Sequence, residues 1–523
     1  MKRYLIYILL GWWAFTSCFD DKGNYDYWEI NEVTISGGMD TTYQVIAYAD
    51  TLRLNPQITS SLEKHDSDYE YEWKLIPNGI DISEVTEGVD FIIGRDKNLE
   101  WPVTLGAGIY SGFYLVKDKS TGITQRGRFS VQVRTLTSEG WLILCEEQNK
   151  ARLDLIFNEN ETDDIVAHNL WVNQEFETGK PLRLIPCWFR DKHSRVLFVS
   201  EKGTYELDET DLHVGEDTDF RWRFGVLPEA IHIQAAKFSQ RSLEHDRWTV
   251  VTGQGDVYSE AVNSGIGFFG YPVNVLDGER FVAAPFVGVM YLWKFVAGAA
   301  NPTSTMLYDA THQQFLAIKN GDIYPTVMKF SGEKLFEAQT GKDFVAGEST
   351  YQTGANGTNY VILKDPNTGK YYFYGILMDY DEKNEQQYYG EVKGAGLSGA
   401  TQFVFHNIYP YLFYLSNNQI YQFDMRYPEE EAKPVLSFPG EEVKVIKFLP
   451  LISNYAYGAA NSWMRQRGYR LVVGTSLQGV DESECGIMRT YDVPNLMGPL
   501  TKVKEHKGLG KIVDIIYKEP IRK

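Results

Sequence analysis

The sequence predicts an all-β protein in two parts: a β-sandwich, then a seven-bladed β-propeller closed by the C-terminal strand. Three observations predict this. Short strands separated by turn residues fill residues 28–133 without helical periodicity. Rings are abundant, with 12 Trp, 34 Tyr and 28 Phe among 523 residues, and aromatic side chains favour pleated surfaces. Past residue 140, a hairpin recurs at near-constant spacing.

Residues 1–17 predict a secretory signal. Lys2 and Arg3 form a positive start, and the apolar stretch 4–15 is too short to span a bilayer. Thr16 and Ser17 then supply small residues before Cys18. The arrangement resembles a bacterial lipobox, in which the cysteine is lipidated and becomes the first residue after cleavage. Phe15 departs from the Leu or Val usual at its position, and ordinary cleavage beside an incidental cysteine is the alternative. Residues 18–27 then form a lipid-anchored tether. Asp20 and Asp21 resemble the export signal that sends Bacteroidetes lipoproteins to the outer leaflet of the outer membrane. That resemblance implies attachment to outer-membrane lipid through acylated Cys18, facing the cell exterior.

Residues 28–134 predict the sandwich, with strands at 30–35, 51–54, 69–76, 101–103, 112–117 and 127–133. The pieces Tyr69-Glu70-Tyr71-Glu72-Trp73 and Tyr110 to Asp118, followed by a Thr121-Gly122 turn, resemble the immunoglobulin-type PKD-like fold. Together with Cys18, they resemble the PKD-like family of Bacteroidetes surface lipoproteins. The resemblance implies an N-terminal spacer that lifts a large β-rich remainder off the membrane. Residues 135–139 are the expected linker.

From 140 to 523 the propeller is predicted from seven hairpins. Their first strands, marked by Trp141, Arg195, Trp248, Thr305, Tyr360, Tyr411 and Arg470, recur every 51 to 59 residues. The clearest is 411–424, where aromatic strands flank an Asn417-Asn418 turn suited to left-handed backbone. An apolar strand precedes several hairpins, at 182–186, 231–238, 403–408 and 443–449, with 281–289 and 344–346 as weaker stand-ins. The first hairpin lacks such a strand, and 511–517 is an apolar strand left over; pairing the two leaves no open edge. An eighth blade hidden in an insertion is the alternative.

The charge balance, 51 Lys plus Arg against 70 Asp plus Glu, gives −19 and argues against a nucleic-acid partner. Cys145, Cys187 and Cys485 sit in or beside apolar strands without zinc-site spacing, so buried thiols are expected, with one disulfide as the alternative. Gly394 to Gly399 matches G-x-G-x-x-G but leads into a strand, which removes the phosphate-cradling geometry. Glu244-His245-Asp246 is the best acid–base cluster, although it lies in a turn where charge is ordinary. The acidic loop 208–219 offers hard oxygen ligands without the alternation of a known calcium loop. No metal ligand set, cofactor or catalytic residue is therefore assigned.

The binding candidates are Tyr455, Tyr457, Trp463, Arg465 and Tyr469, with Arg467, in a long insertion of the last blade. Large amphipathic rings beside guanidinium groups suit a sugar or a peptide. Gly267-Phe268-Phe269-Gly270-Tyr271 is a second, weaker candidate. Packing against a neighbouring blade is the alternative role. The family resemblance implies a non-catalytic accessory component of a nutrient-uptake system with a TonB-dependent transporter of the SusC type, a SusD-like lipoprotein, and a glycan or peptide ligand. A propeller hydrolase or lyase, or a purely structural scaffold, are the alternatives.

Overall fold

Strands account for nearly every regular element among the described residues, with short 3-10 turns between them. The computed structural model describes residues 30–47, 50–78, 91–106, 108–158, 164–172, 176–189, 193–209, 211–240, 246–262, 268–290, 303–319, 322–350, 357–379, 383–449 and 466–519. The chain divides into two compact units, Met1–Arg134 and Thr135–Lys523. The signal, Cys18 and the tether lie outside the described residues.

The first unit carries a five-stranded sheet in the order Thr42–Ile46, Thr124–Arg134, Gly108–Asp118, Tyr69–Pro77, Ile92–Gly94. Two short pairs, Val33–Ser36 with Gln57–Ser60 and Thr51–Leu54 with Leu99–Pro102, complete it. Trp73 and Tyr114 are fully buried and stacked at 4.0 Å, with Phe129 edge-on to the indole at 5.7 Å. Each such ring removes on the order of 150–250 Å² from water. Burial of their polar tips is compensated: Trp73 Nε1 donates to the Asp96 carbonyl and the Tyr114 hydroxyl to that of Lys97.

The strand motif that predicts this fold closes on Asp118. Its buried carboxylate accepts the Ser120 N–H at 2.8 Å, the Ser120 hydroxyl at 2.6 Å and Asn31 Nδ2 at 3.0 Å, and so fixes the turn after the strand. The hydroxyl hydrogen bond from Ser120 leads the forces that hold this carboxyl well below the usual carboxylate range.

The second unit carries seven sheets of three to five strands among its described residues, beside a two-stranded ribbon. They contain the predicted hairpins in chain order. The first joins Asp164–Ala167, Lys150–Asn158, Gly140–Glu147 and Lys511–Lys518. The second starts at Pro181–Phe189, the third at Ile233–Gln240, and the fourth at Gly288–Val289. The fifth, sixth and seventh start at Asp343–Ser349, Ala400–Phe405 and Glu441–Lys447. In the hairpin at Tyr411–Ser416 and Gln419–Asp424, Asn417 and Asn418 both adopt positive φ, as that turn requires.

The leftover strand Lys511–Lys518 pairs antiparallel with Gly140–Glu147, Trp141 opposite Tyr517 and Ile143 opposite Ile515. These starting strands are neighbours in succession, with Lys511–Lys518 standing for the first sheet. Side chains tie one to the next. Asp514 accepts the Leu184 N–H at 2.9 Å, and Gln402 accepts the Ile446 N–H at 3.0 Å while donating to the Lys444 carbonyl at 2.7 Å. Ser349 likewise accepts the Val289 N–H at 3.1 Å, and Asn359 of the adjoining strand Thr358–Lys364 engages both the N–H and the carbonyl of Val289. The unit is propeller-like in this respect.

Two sequence expectations change in detail. Residues 135–139 carry a 3-10 turn at Leu136–Ser138, and Leu136 packs on the core of the second unit. The apolar stretch 281–289 forms only the two-residue strand Gly288–Val289 in its sheet, because Pro285 has no N–H to give a ladder. Cys145, Cys187 and Cys485 are free and buried, which resolves the pairing question toward thiols.

Candidate functional site

The starting strands of the second unit surround a cavity of about 420 Å³. Its wall is built from residues 185–186, 234–237, 285–287, 345–349, 400–404 and 446–449. Most of these side chains are apolar or small, as expected of strands packed on both faces. Lys237, Glu348 and Lys447 are the exceptions, each a lone charge inside an apolar run.

Lys447 is held by an ion pair with Asp514, which also caps Leu184 of the next strand. Glu348 is half-buried and lines the cavity. Its side chain makes no hydrogen bond or ion pair of normal length among the described residues. Burial raises its pKa, and the fields of Lys237 and Lys447 act against that rise. A carboxyl held in this way accepts or donates a hydrogen bond according to its ligand. Such a group in a cavity is a functional-site candidate.

The sequence-predicted binding residues fall elsewhere. Tyr455, Tyr457, Trp463 and Arg465 lie outside the described residues. Tyr469 is half-buried, its ring stacked 6.5 Å from that of His406. Arg467 is buried; its guanidinium lies 3.8 Å over the Tyr517 ring and 3.3 Å from Glu519. Arg467 is thus packing for the last strand, which removes it from the exposed candidates. In the second candidate segment, Phe269 is buried while Phe268 and Tyr271 are exposed.

The acidic loop spends its charge locally. His213 bridges Asp211 and Asp217, both at 2.9 Å, Asp219 pairs with Arg221, and Glu209 reaches Arg195 at 3.2 Å. Hydrogen bonds from Asp217 and then Asp211 raise the His213 pKa. Ligand atoms of Asp208, Asp211 and His213 lie within 4.8 Å of one another, a spacing that these hydrogen bonds already explain. Glu244 and His245 lie outside the described residues.

The G-x-G-x-x-G stretch ends in a 3-10 turn, Leu397–Gly399, and runs into Ala400–Phe405. A Cβ on Gly394 would meet the Tyr414 hydroxyl at 2.4 Å, the group that donates to the Ala395 carbonyl. Gly394 thus makes room for a tyrosine, and Gly396 and Gly399 lie against Ser416.

Residues 18–181 match the model of the PKD-like family, the family that the 69–73 and 110–118 motifs resemble. A search of curated proteins finds no match. Among solved structures, a quinonprotein alcohol dehydrogenase-like protein from Bacteroides thetaiotaomicron is 10% identical, with 92% of this chain and 97% of that chain covered and a TM-score of 0.36. A DUF4784 family protein from Bacteroides caccae is 9% identical over 78% of this chain and 95% of that one, with a TM-score of 0.27. The PKD domain of human KIAA0319 is 18% identical over 22% of this chain and 90% of its own length, with a TM-score of 0.16. Scores this low carry no argument, and the fold assignment rests on the strand pairing described above.

Proposed function

We propose that the protein is an outer-membrane surface lipoprotein, anchored through Cys18, that acts as a non-catalytic ligand-binding component of a nutrient-uptake system. In this reading the sandwich is a spacer, and the second unit is a seven-bladed propeller closed by Lys511–Lys518. Its partners are a TonB-dependent transporter of the SusC type and a SusD-like lipoprotein, and its ligand is a glycan or peptide. The observation that carries the binding role is the wall of the 420 Å³ cavity. It brings one carboxylate, two lysines, amides and apolar groups together, the mixture of a small-molecule site. The succession of starting strands and the pairing of Lys511–Lys518 with Gly140–Glu147 support the propeller.

A second reading is a hydrolase or lyase, favoured by Glu348 alone, whose raised pKa suits a general acid. Purification from membranes distinguishes them. Co-elution of the transporter pair supports the accessory role, whereas a solitary protein that cleaves glycans or peptides, and loses this on Glu348→Gln, overturns it. Cys18→Ala is expected to release the protein into the soluble fraction; persistent membrane association defeats the anchor.

A further inference from the structure

Tyr271 and Tyr324 face one cleft of about 280 Å³ between the third and fourth sheets of the second unit. Tyr271 is 81% exposed and Tyr324 56% exposed, with Ile323 beside it equally open. Exposed rings scattered singly are ordinary on a protein surface, whereas two that line one cleft form a surface a ligand can use.

The backbone beneath both rings is fastened. Phe269, buried two residues before Tyr271, donates its N–H to the Arg223 carbonyl at 2.7 Å and accepts from the Gly225 N–H at 2.9 Å. On the other side, buried Arg247 donates to the carbonyls of Lys319 at 3.3 Å and Asp322 at 2.5 Å, and to the Ser259 hydroxyl at 3.0 Å. Arg247 thereby clamps the segment that carries Ile323 and Tyr324 onto the third sheet. Beside the rings the cleft is lined by the hydrogen-bonding groups of Arg247, Ser259, Glu260 and Asp322 and by apolar Val273 and Ile323.

We propose that this cleft is a subsite for a neutral saccharide, with the faces of Tyr271 and Tyr324 against the C–H faces of the sugar and Ser259 and Glu260 engaging its hydroxyls. A sugar ring has apolar faces and a hydroxyl-bearing rim, and amphipathic rings beside hydrogen-bonding side chains match both. The net charge of −19, with Glu260 in the cleft, disfavours polyanionic glycans and selects neutral ones. The proposal rests on the ligand-binding reading above, and it names a site apart from the central cavity.

The test uses the full chain in detergent and affinity electrophoresis through amylopectin, xylan, galactomannan and mixed-linkage β-glucan, with casein peptides in a parallel calorimetric titration. Retardation by one of the four polysaccharides is expected, with affinity reduced about tenfold by Tyr271→Ala or Tyr324→Ala and lost in the double variant. Both side chains are exposed, so the circular dichroism spectrum and melting temperature should stay unchanged. No retardation by any of the four, equal retardation of the double variant, or binding of casein peptides alone overturns the proposal. If the transporter pair co-purifies while no polysaccharide binds, only this subsite falls. If the cleft binds sugar and nothing co-purifies, only the uptake role falls.

Discussion

The carboxylate of Asp154 accepts the backbone N–H of Gly510 at 2.9 Å, joining two residues 356 positions apart. The same fully buried carboxylate pairs with Arg152 through Nε at 2.8 Å and Nη2 at 3.1 Å, and accepts the Asn169 N–H. Asp154 therefore aligns the chain just before its last strand. Gly510 must stay small, since a Cβ there would meet the Cys145 side chain at 2.7 Å.

Asp154→Ala is expected to leave the Arg152 guanidinium, itself buried, without its main partner. Removing one member of a buried pair costs about 3–5 kcal/mol. Urea unfolding followed by tryptophan fluorescence should show a midpoint shift of that size. Asp154→Asn, which keeps an acceptor for Gly510, should cost less.

His406 predicts an acid-sensitive second unit. Its Nδ1 accepts the N–H groups of Ile408 and Tyr409, while its fully buried ring stacks on Tyr409 at 4.7 Å. Burial pushes its pKa down from 6.5 to about 4. A pKa depressed on folding gives stability that is complete above 6.5 and lost as pH falls toward 4. The slope is about 1.4 kcal/mol per pH unit at most. Between pH 7 and pH 5 the parent should lose about 2 kcal/mol more than His406→Asn, which keeps an acceptor but cannot titrate. Parallel losses in the two proteins would refute this role.

Asp118 predicts the acid limit of the first unit. Its carboxyl is held below its ordinary 3.8, so its stabilisation is present above that value and disappears as pH falls below it. Asp118→Ala removes the acceptor for Ser120 and Asn31 and is expected to cost about 1–3 kcal/mol at pH 7. Native-state hydrogen exchange at Ser120 and Thr121 would report the loosened turn.

The three thiols should be silent in the folded protein. Burial raises the pKa of Cys187 to about 12 and lifts those of Cys145 and Cys485 as well. Iodoacetamide at pH 8 is expected to leave all three unmodified by mass spectrometry, and to modify them in guanidinium. A native adduct on any of them would contradict their burial.

How much of this was legible in the sequence depends on where each strand sits. Hairpins such as Tyr411–Asp424 announce themselves through local turn chemistry and two apolar strands. The strand Thr42–Ile46 was missed because it pairs in parallel with Thr124–Arg134, a partner far along the chain, and so has no hairpin signature. The outer strand Thr501–Leu509 was missed for a different reason. It is largely unburied and carries Lys502, Lys504 and Lys507, the charge that keeps an edge from pairing with another molecule, and reads as a polar loop. The cavity was invisible because Lys237, Glu348 and Lys447 come from three separate sheets. One signal was present: each has small or apolar residues directly before it, Ala235-Ala236, Ala346-Gly347 and Val445-Ile446. The exposure of Tyr271 had no such signal, since its neighbour Phe269 has the same aromatic character and is buried.

The pairing of Lys511–Lys518 with Gly140–Glu147 also sets an order of events. A chain delivered from its amino terminus presents the first sheet long before the strand that completes it exists. Until then Gly140–Glu147 keeps an unpaired edge, and Asp154 lacks the Gly510 it is placed to receive. Loss of Lys511–Lys518 would therefore be felt in the first sheet, at the opposite end of the unit's sequence.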